Sequence, residues 1–151
     1  MSKVIVVAAN PRGIHSEGIA SETGIKPGHL VRRVPGQDVD DTGRSKVELW
    51  DGAAAGERDE ILVADIGWEG QTEDDAYALN DRVRLYSPCP SEKVRVRVKS
   101  GVTLTYQGKL IAEANTGELI ATTGTPESEP FKSQEAGTAD GSPVLCIATG
   151  A

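Results

Sequence analysis

Glycine and proline break this chain so often that only short segments of uniform character remain between them: seventeen glycines and eight prolines stand in 151 residues. No window of twelve or more residues keeps apolar positions at i, i+3, i+4 and i+7, the spacing that one buried helical face needs. Long helices are excluded on that ground, and the intervening runs have strand composition instead. They are Leu30–Val34, Val47–Trp50, Ile61–Asp65, Arg82–Ser87, Lys93–Lys99, Val102–Tyr106, Lys109–Ala114, Glu118–Thr122 and Val144–Ala148. Strands recurring about every ten residues indicate an antiparallel sandwich or barrel rather than βαβ units. The length suits a single domain, able to bury roughly 70% of the surface its unfolded chain exposes.

Turn chemistry sharpens the pattern. In LIAEANTGELIATT the tripeptide Asn115-Thr116-Gly117 supplies a hairpin loop, with glycine where a positive φ is most needed, and its arms are expected to pair. Asp51-Gly52 follows Trp50 as a turn, and Asp140-Gly141 precedes the last strand in the same way. The single helical candidate is TEDDAYAL, at most two turns, in which Thr72 caps and Asp75 sits three residues on as its acidic partner. Residues 1–28 differ: after VIVVAA come four glycines about five apart and no sustained alternation, which predicts an extended N-terminal arm ahead of a single β-rich domain over 29–151. Gly124 to Gly141 reads as a long surface excursion.

The most conspicuous alternation is KVRVRVK at 93–99. It places Val94, Val96 and Val98 on one face and Lys93, Arg95, Arg97 and Lys99 on the other, in a chain whose net charge is −7. That acidic balance argues against a general nucleic-acid binder, and the strand lacks the interleaved aromatics on which bases stack. The basic row therefore blunts a sheet edge, with Glu48, Glu60 or Glu113 as cross-strand partners, or meets an acidic surface on another protein; the two roles are compatible.

Motifs for catalysis are missing from the sequence: it contains no GxSxG, Walker, GxGxxG or HExxH pattern. His15 and His29 lie in glycine-rich surroundings and read as loop histidines. Asp38, Asp40 and Asp41 lack the ligand spacing of a calcium loop, and Glu73 to Asp75 suit the first turn of a short helix. No cofactor and no metal are expected. Cys89 and Cys146 belong to no CxxC or Cys/His cluster and read as two buried or half-buried thiols in a reducing compartment, with a disulfide between them as the alternative. Val4 to Ala9 is six residues of apolar sequence against the roughly 20 that span a bilayer, and too short for a signal-peptide core, so synthesis in a cytosol with no membrane partner is expected. Trp50 is out of phase with Val47 and Leu49, which makes it either the cap of the core or an anchor between subunits.

The segment LVRRVPGQDVDDTGRSKVELWDGAAAGERDEILVADI runs strand, acidic insert, strand ending Leu49-Trp50-Asp51-Gly52, small-residue loop, strand. It resembles the head decoration (cement) proteins of tailed bacteriophages, including the lambda-type family. EAGTADGSPVLCIATG near the end and ETGIKPGHLVRR near the start are similar in the same sense, so the resemblance covers about half of the chain. It implies an all-β protein, a β-tulip, sandwich-like or barrel domain with an extended arm, that binds the outside of an icosahedral head as a trimer and strengthens it. The implied partners are the major capsid protein and further copies of itself, and the implied location is the outer surface of the virion. On this reading the arm residues Val4, Ile5, Val6, Val7, Arg12 and Ile14 contact the capsid, VIVVAA adding a strand to a capsid-protein sheet or serving its own barrel. Trp50, Arg95, Arg97 and Asn115 then contact subunits or partners. The alternative is a small β-barrel module for nucleic acid or carbohydrate that uses Arg82, Arg84, Arg95 and Arg97 on one sheet face. A cupin-like enzyme lacks its histidine-rich motif.

Overall fold

The structure is a computed structural model that describes residues 13–34, 45–50, 62–113, 115–121 and 131–149. Among these residues the chain is all-β, with no helix. Five strands, β1 (Ile14–Ala20), β2 (Leu30–Arg33), β3 (Lys46–Leu49), β4 (Leu62–Ala64) and β5 (Arg82–Ser87), close a barrel in the order β1-β3-β2-β4-β5. Neighbours pair antiparallel except β1 with β3, which run parallel. A second sheet takes β6 (Lys93–Arg97), β8 (Lys109–Ala112), β9 (Leu119–Ala121), β10 (Phe131–Ser133) and β12 (Pro143–Ala148) in the order β6-β12-β10-β8-β9. Its two edges meet, because Val98 and Leu119 form a parallel bridge. The remaining strands, β7 (Thr103–Leu104) and β11 (Gly137–Thr138), make a small ribbon.

Leu30-Val31 of β2 and Leu62-Val63-Ala64 of β4 stand as unbroken apolar sequence because both faces of the barrel are buried at these strands. Val31, Leu62, Ala64 and Leu85 point into the barrel and pack with Ile25, Val47 and Tyr77. Their alternates Leu30, Val63 and Tyr86 point outward and pack with Val94, Val96, Val98, Phe131 and Cys146 of the second sheet. One apolar mass thus holds barrel and sheet together, and the three valines of 93–99 share its face as the alternation requires. Across the second sheet Leu110, Phe131 and Ala148 stand in register as a buried row, with the lone phenylalanine of the chain on the central strand. The 115–117 hairpin forms as expected, pairing Leu110 with Ala121, Ile111 with Ile120 and Ala112 with Leu119.

Three expectations are corrected. Residues 14–20, assigned to the arm, form β1 and complete the barrel; the strand is cryptic because its inward positions are Gly18 and Ala20, and a Cβ on Gly18 would come within 2.7 Å of Val47 Cγ1. The excursion at 124–141 contains β10 and β11, the first of them a fully internal strand. The 72–79 segment is not helical. Thr72 and Asp75 do make the bond of a capping box, with the Thr72 N–H donating to Asp75 Oδ2 at 2.8 Å. The tertiary contacts of Tyr77 then take the chain elsewhere: its N–H donates to the Ile25 carbonyl at 2.7 Å and its hydroxyl to the Asp65 carbonyl at 2.5 Å, with the ring sunk in the barrel core.

Candidate functional site

The basic row of β6 does not survive as a row. Lys93 and Lys99 are exposed, Arg95 is half-buried, and Arg97 is 4% exposed. Register places Lys93 beside Ile147, Arg95 beside Leu145 and Arg97 beside Pro143. Lys99 Nζ lies 2.8 Å from Glu113 Oε2, the cross-strand neutralisation that an edge strand calls for. Glu48 is engaged instead by Arg32, at 2.8 Å, and Glu60 lies outside the described residues.

Arg97 belongs to the interior and is corrected as a partner contact. Its Nε donates to the Pro27 carbonyl and its Nη1 to the Gly141 carbonyl, each at 2.9 Å, its Nη2 donates to the Glu73 carbonyl, and Asp74 stands 3.6 Å away. Trp50 is likewise internal, 7% exposed in the shared core, which is the core-cap alternative of the sequence rather than a subunit anchor. Asn115 is exposed at the hairpin tip with φ +64°, an orientation that asparagine tolerates better than most residues. Ile14 opens β1 and is 72% exposed. Val4, Ile5, Val6, Val7 and Arg12 lie outside the described residues, as do Asp38, Asp40 and Asp41. The face proposed for a nucleic-acid or carbohydrate module does not assemble: Arg82 and Arg84 belong to the barrel, Arg95 and Arg97 to the other sheet.

The histidines part company. His29 is buried, its Nδ1 accepting the Lys26 N–H at 2.9 Å, and burial, with Arg97 and Lys26 nearby, pushes its pKa down to about 3. His15 is exposed, its ring 4.8 Å from that of Tyr86. No group of three metal-ligating side chains occurs among the described residues. Cys89 is half-buried and Cys146 fully buried, both as thiols.

What the sequence did not show is a polar cleft of about 400 Å³ on the outside of the barrel, lined by His15, Ser16, Glu17, Gly67, Arg82 and Arg84. Antiparallel pairing of β1 with β5 sets Glu17 opposite Arg84 and Ile19 opposite Arg82, so the charged side chains alternate outward while Gly18, Val83 and Leu85 turn inward. Arg82 Nε stands 3.6 Å from Glu17 Oε2. Beside the cleft Asp65 is buried, with its carboxyl pKa raised by desolvation and restrained by its bond from the Ile66 N–H and by the fields of Arg84 and His15. The RVR of β5 was a signal in the sequence; its partner strand, hidden in glycine-rich surroundings, was not.

No family model matches the sequence, and comparison with curated proteins gives no match. Among solved structures the fold is similar to that of the N base of head fiber gp8.5 in bacteriophage phi29, with a TM-score of 0.57 over 91% of this chain and 94% of that one. The two sequences are 11% identical, so the likeness is one of fold.

Proposed function

We propose that this chain is a structural accessory protein of a bacteriophage head, held to the outer capsid surface and working by shape and repeated contact rather than by catalysis. The observation that supports this reading is the near end-to-end correspondence with the phi29 head fiber base, which extends over both the barrel and the second sheet. The architecture suits the role. A barrel and a sheet locked by one core make a stiff body, and stiffness lets many weak contacts add over a repetitive shell.

In this reading the attachment runs through residues 4–12 and continues into Ile14, whose exposed side chain begins β1 where the described chain starts. Val4 to Val7 add a strand to a sheet edge of the major capsid protein, main-chain bonds supplying affinity and alternate side chains specificity. Arg95 and Asn115 contact neighbouring copies, in a trimer, while Trp50 and Arg97 act only through the rigidity they give the body.

The test is co-sedimentation of the purified protein with mature, DNA-filled heads that lack it, compared with a variant deleted for residues 2–12. Gly13 is kept because its N–H donates to Tyr86 Oη at 2.7 Å. The full chain is expected to bind the heads and the deletion to bind at least tenfold more weakly with unchanged thermal unfolding. Absence of binding by the full chain would overturn the reading, and equal binding by the two would remove the arm from it.

A further inference from the structure

We propose that the cleft between β1 and β5 binds an acidic saccharide, a hydroxylated ring carrying one carboxylate. Its size is appropriate: about 400 Å³ falls in the range of small-ligand sites. Its chemistry narrows the ligand further. Arginine and imidazole N–H groups donate from one set of lining residues, His15, Arg82 and Arg84, while the Glu17 carboxylate accepts. Hydroxyls, which both donate and accept, satisfy such a mixed wall; a fully ionised phosphate can only accept, and would face the carboxylate of Glu17.

The arginines are not equivalent. Arg82 already has Glu17 at 3.6 Å. Arg84 forms no ion pair among the described residues and projects from the next outward position of β5, directly across from Glu17. Its planar fork matches a ligand carboxylate, and Glu17 is then placed to accept from a hydroxyl of the same ring.

Two further lining residues are fixed in place by the tyrosines behind them. His15 is steadied against the Tyr86 ring. Gly67 contributes bare backbone pressed on Tyr77, where an added Cβ would lie 2.5 Å from the hydroxyl oxygen. The next residue, Trp68, is 42% exposed, with its ring held edge-on to Tyr77 at 5.4 Å between centroids. In the proposed complex the C–H face of the sugar packs on this exposed ring, one residue along the chain from the lining Gly67.

Binding is measured by titration calorimetry on the full chain, with no head present, so the result is independent of capsid attachment. The probes are tri-galacturonate, maltotriose as a neutral trisaccharide, and inorganic phosphate. The expected outcome is saturable binding of tri-galacturonate, at least tenfold weaker binding of maltotriose, and a loss of at least tenfold in both Arg84→Ala and Glu17→Gln with unfolding midpoints unchanged. Both residues are exposed, so neither substitution threatens the core. The proposal is overturned if tri-galacturonate does not bind, if maltotriose binds equally well, if phosphate displaces the uronate at equal concentration, or if the two variants bind like the parent.

Discussion

Arg97 donates from its Nε to the carbonyl oxygen of Pro27, 2.9 Å away and 70 positions earlier in the chain. The same guanidinium reaches Gly141 and Glu73, and the Arg97 backbone N–H donates to the Gly28 carbonyl at 2.9 Å. Pro27 lies between β1 and β2, Glu73 between β4 and β5, and Gly141 just ahead of β12. One side chain on β6 therefore ties two connections of the barrel to the second sheet. Lysine has one compact ammonium and no fork, which is why arginine stands here.

Arg97→Ala is expected to lower stability by about 2–4 kcal/mol, because carbonyls that now accept from a charged donor would be left without it in a buried place. Arg97→Lys should recover only part of the loss. Urea unfolding followed by fluorescence measures this; a midpoint shift worth under about 0.5 kcal/mol in Arg97→Ala would show that the clamp is dispensable.

Gly117 carries the other main link between the sheets. Its carbonyl accepts the Leu30 N–H at 2.8 Å, its φ is +66°, and a Cβ would sit 2.6 Å from the Leu30 oxygen and 2.9 Å from Leu49 Cδ2. Gly101 has φ +92° and nothing within 4 Å of a built Cβ. Gly101→Ala should therefore cost about 1 kcal/mol, the backbone conformation alone, and Gly117→Ala at least about 1 kcal/mol more, since it must also displace β2. Equal losses in thermal unfolding would mean that the hairpin tip yields without strain.

The strands whose buried positions are large could be read from the chain: Arg82–Ser87 matches its expected limits, and Leu30, Val47, Leu62 and Val94 each fall in an expected run. Those missed have a physical reason in common. β1 faces inward with Gly18 and Ala20, and β10 offers three residues around one phenylalanine, so neither shows a period long enough to register. At 72–79 local capping chemistry was read correctly but lost to Tyr77, whose burial no local pattern announces. The basic alternation gave the strand and its valine face, yet not that Arg97 turns into a joint between two sheets. The β1–β5 cleft was illegible for the same reason as β1: its walls come from strands 60 or more residues apart in the chain, paired only by barrel closure.

The two thiols should react at very different rates. Cys146 sits on β12 between Val94 and Ser133 in a fully buried row, and burial pushes its pKa up to about 12. Cys89 is half-buried on the connection between β5 and β6. Titration with a chromogenic disulfide reagent at pH 8 is expected to modify one thiol in the native protein and the second only after unfolding in denaturant. Rapid modification of both in native buffer would contradict the packing of β12.

Acid should find its target at His29. The Nδ1 of this residue accepts the Lys26 N–H, so protonation there destroys a bond and places a cation near Arg97 in a buried site. The native pKa is held at about 3, whereas an unfolded histidine titrates near 6.5. Between those values the unfolded chain carries the proton and the native one does not, so this contribution to stability is complete above about pH 6.5 and is lost as the pH falls toward 3. At about 1.4 kcal/mol for each pKa unit the loss is on the order of 4 kcal/mol at the acid end. His29→Asn keeps an acceptor for the Lys26 N–H and removes the titration. Carboxyls common to both proteins, Asp65 among them, cancel when the two are compared. Urea unfolding at a series of pH values should therefore show the parent losing ground to His29→Asn steadily from pH 6.5 to pH 3, with a constant difference above pH 7.5; a difference independent of pH throughout would mean that His29 is protonated as easily in the fold as out of it.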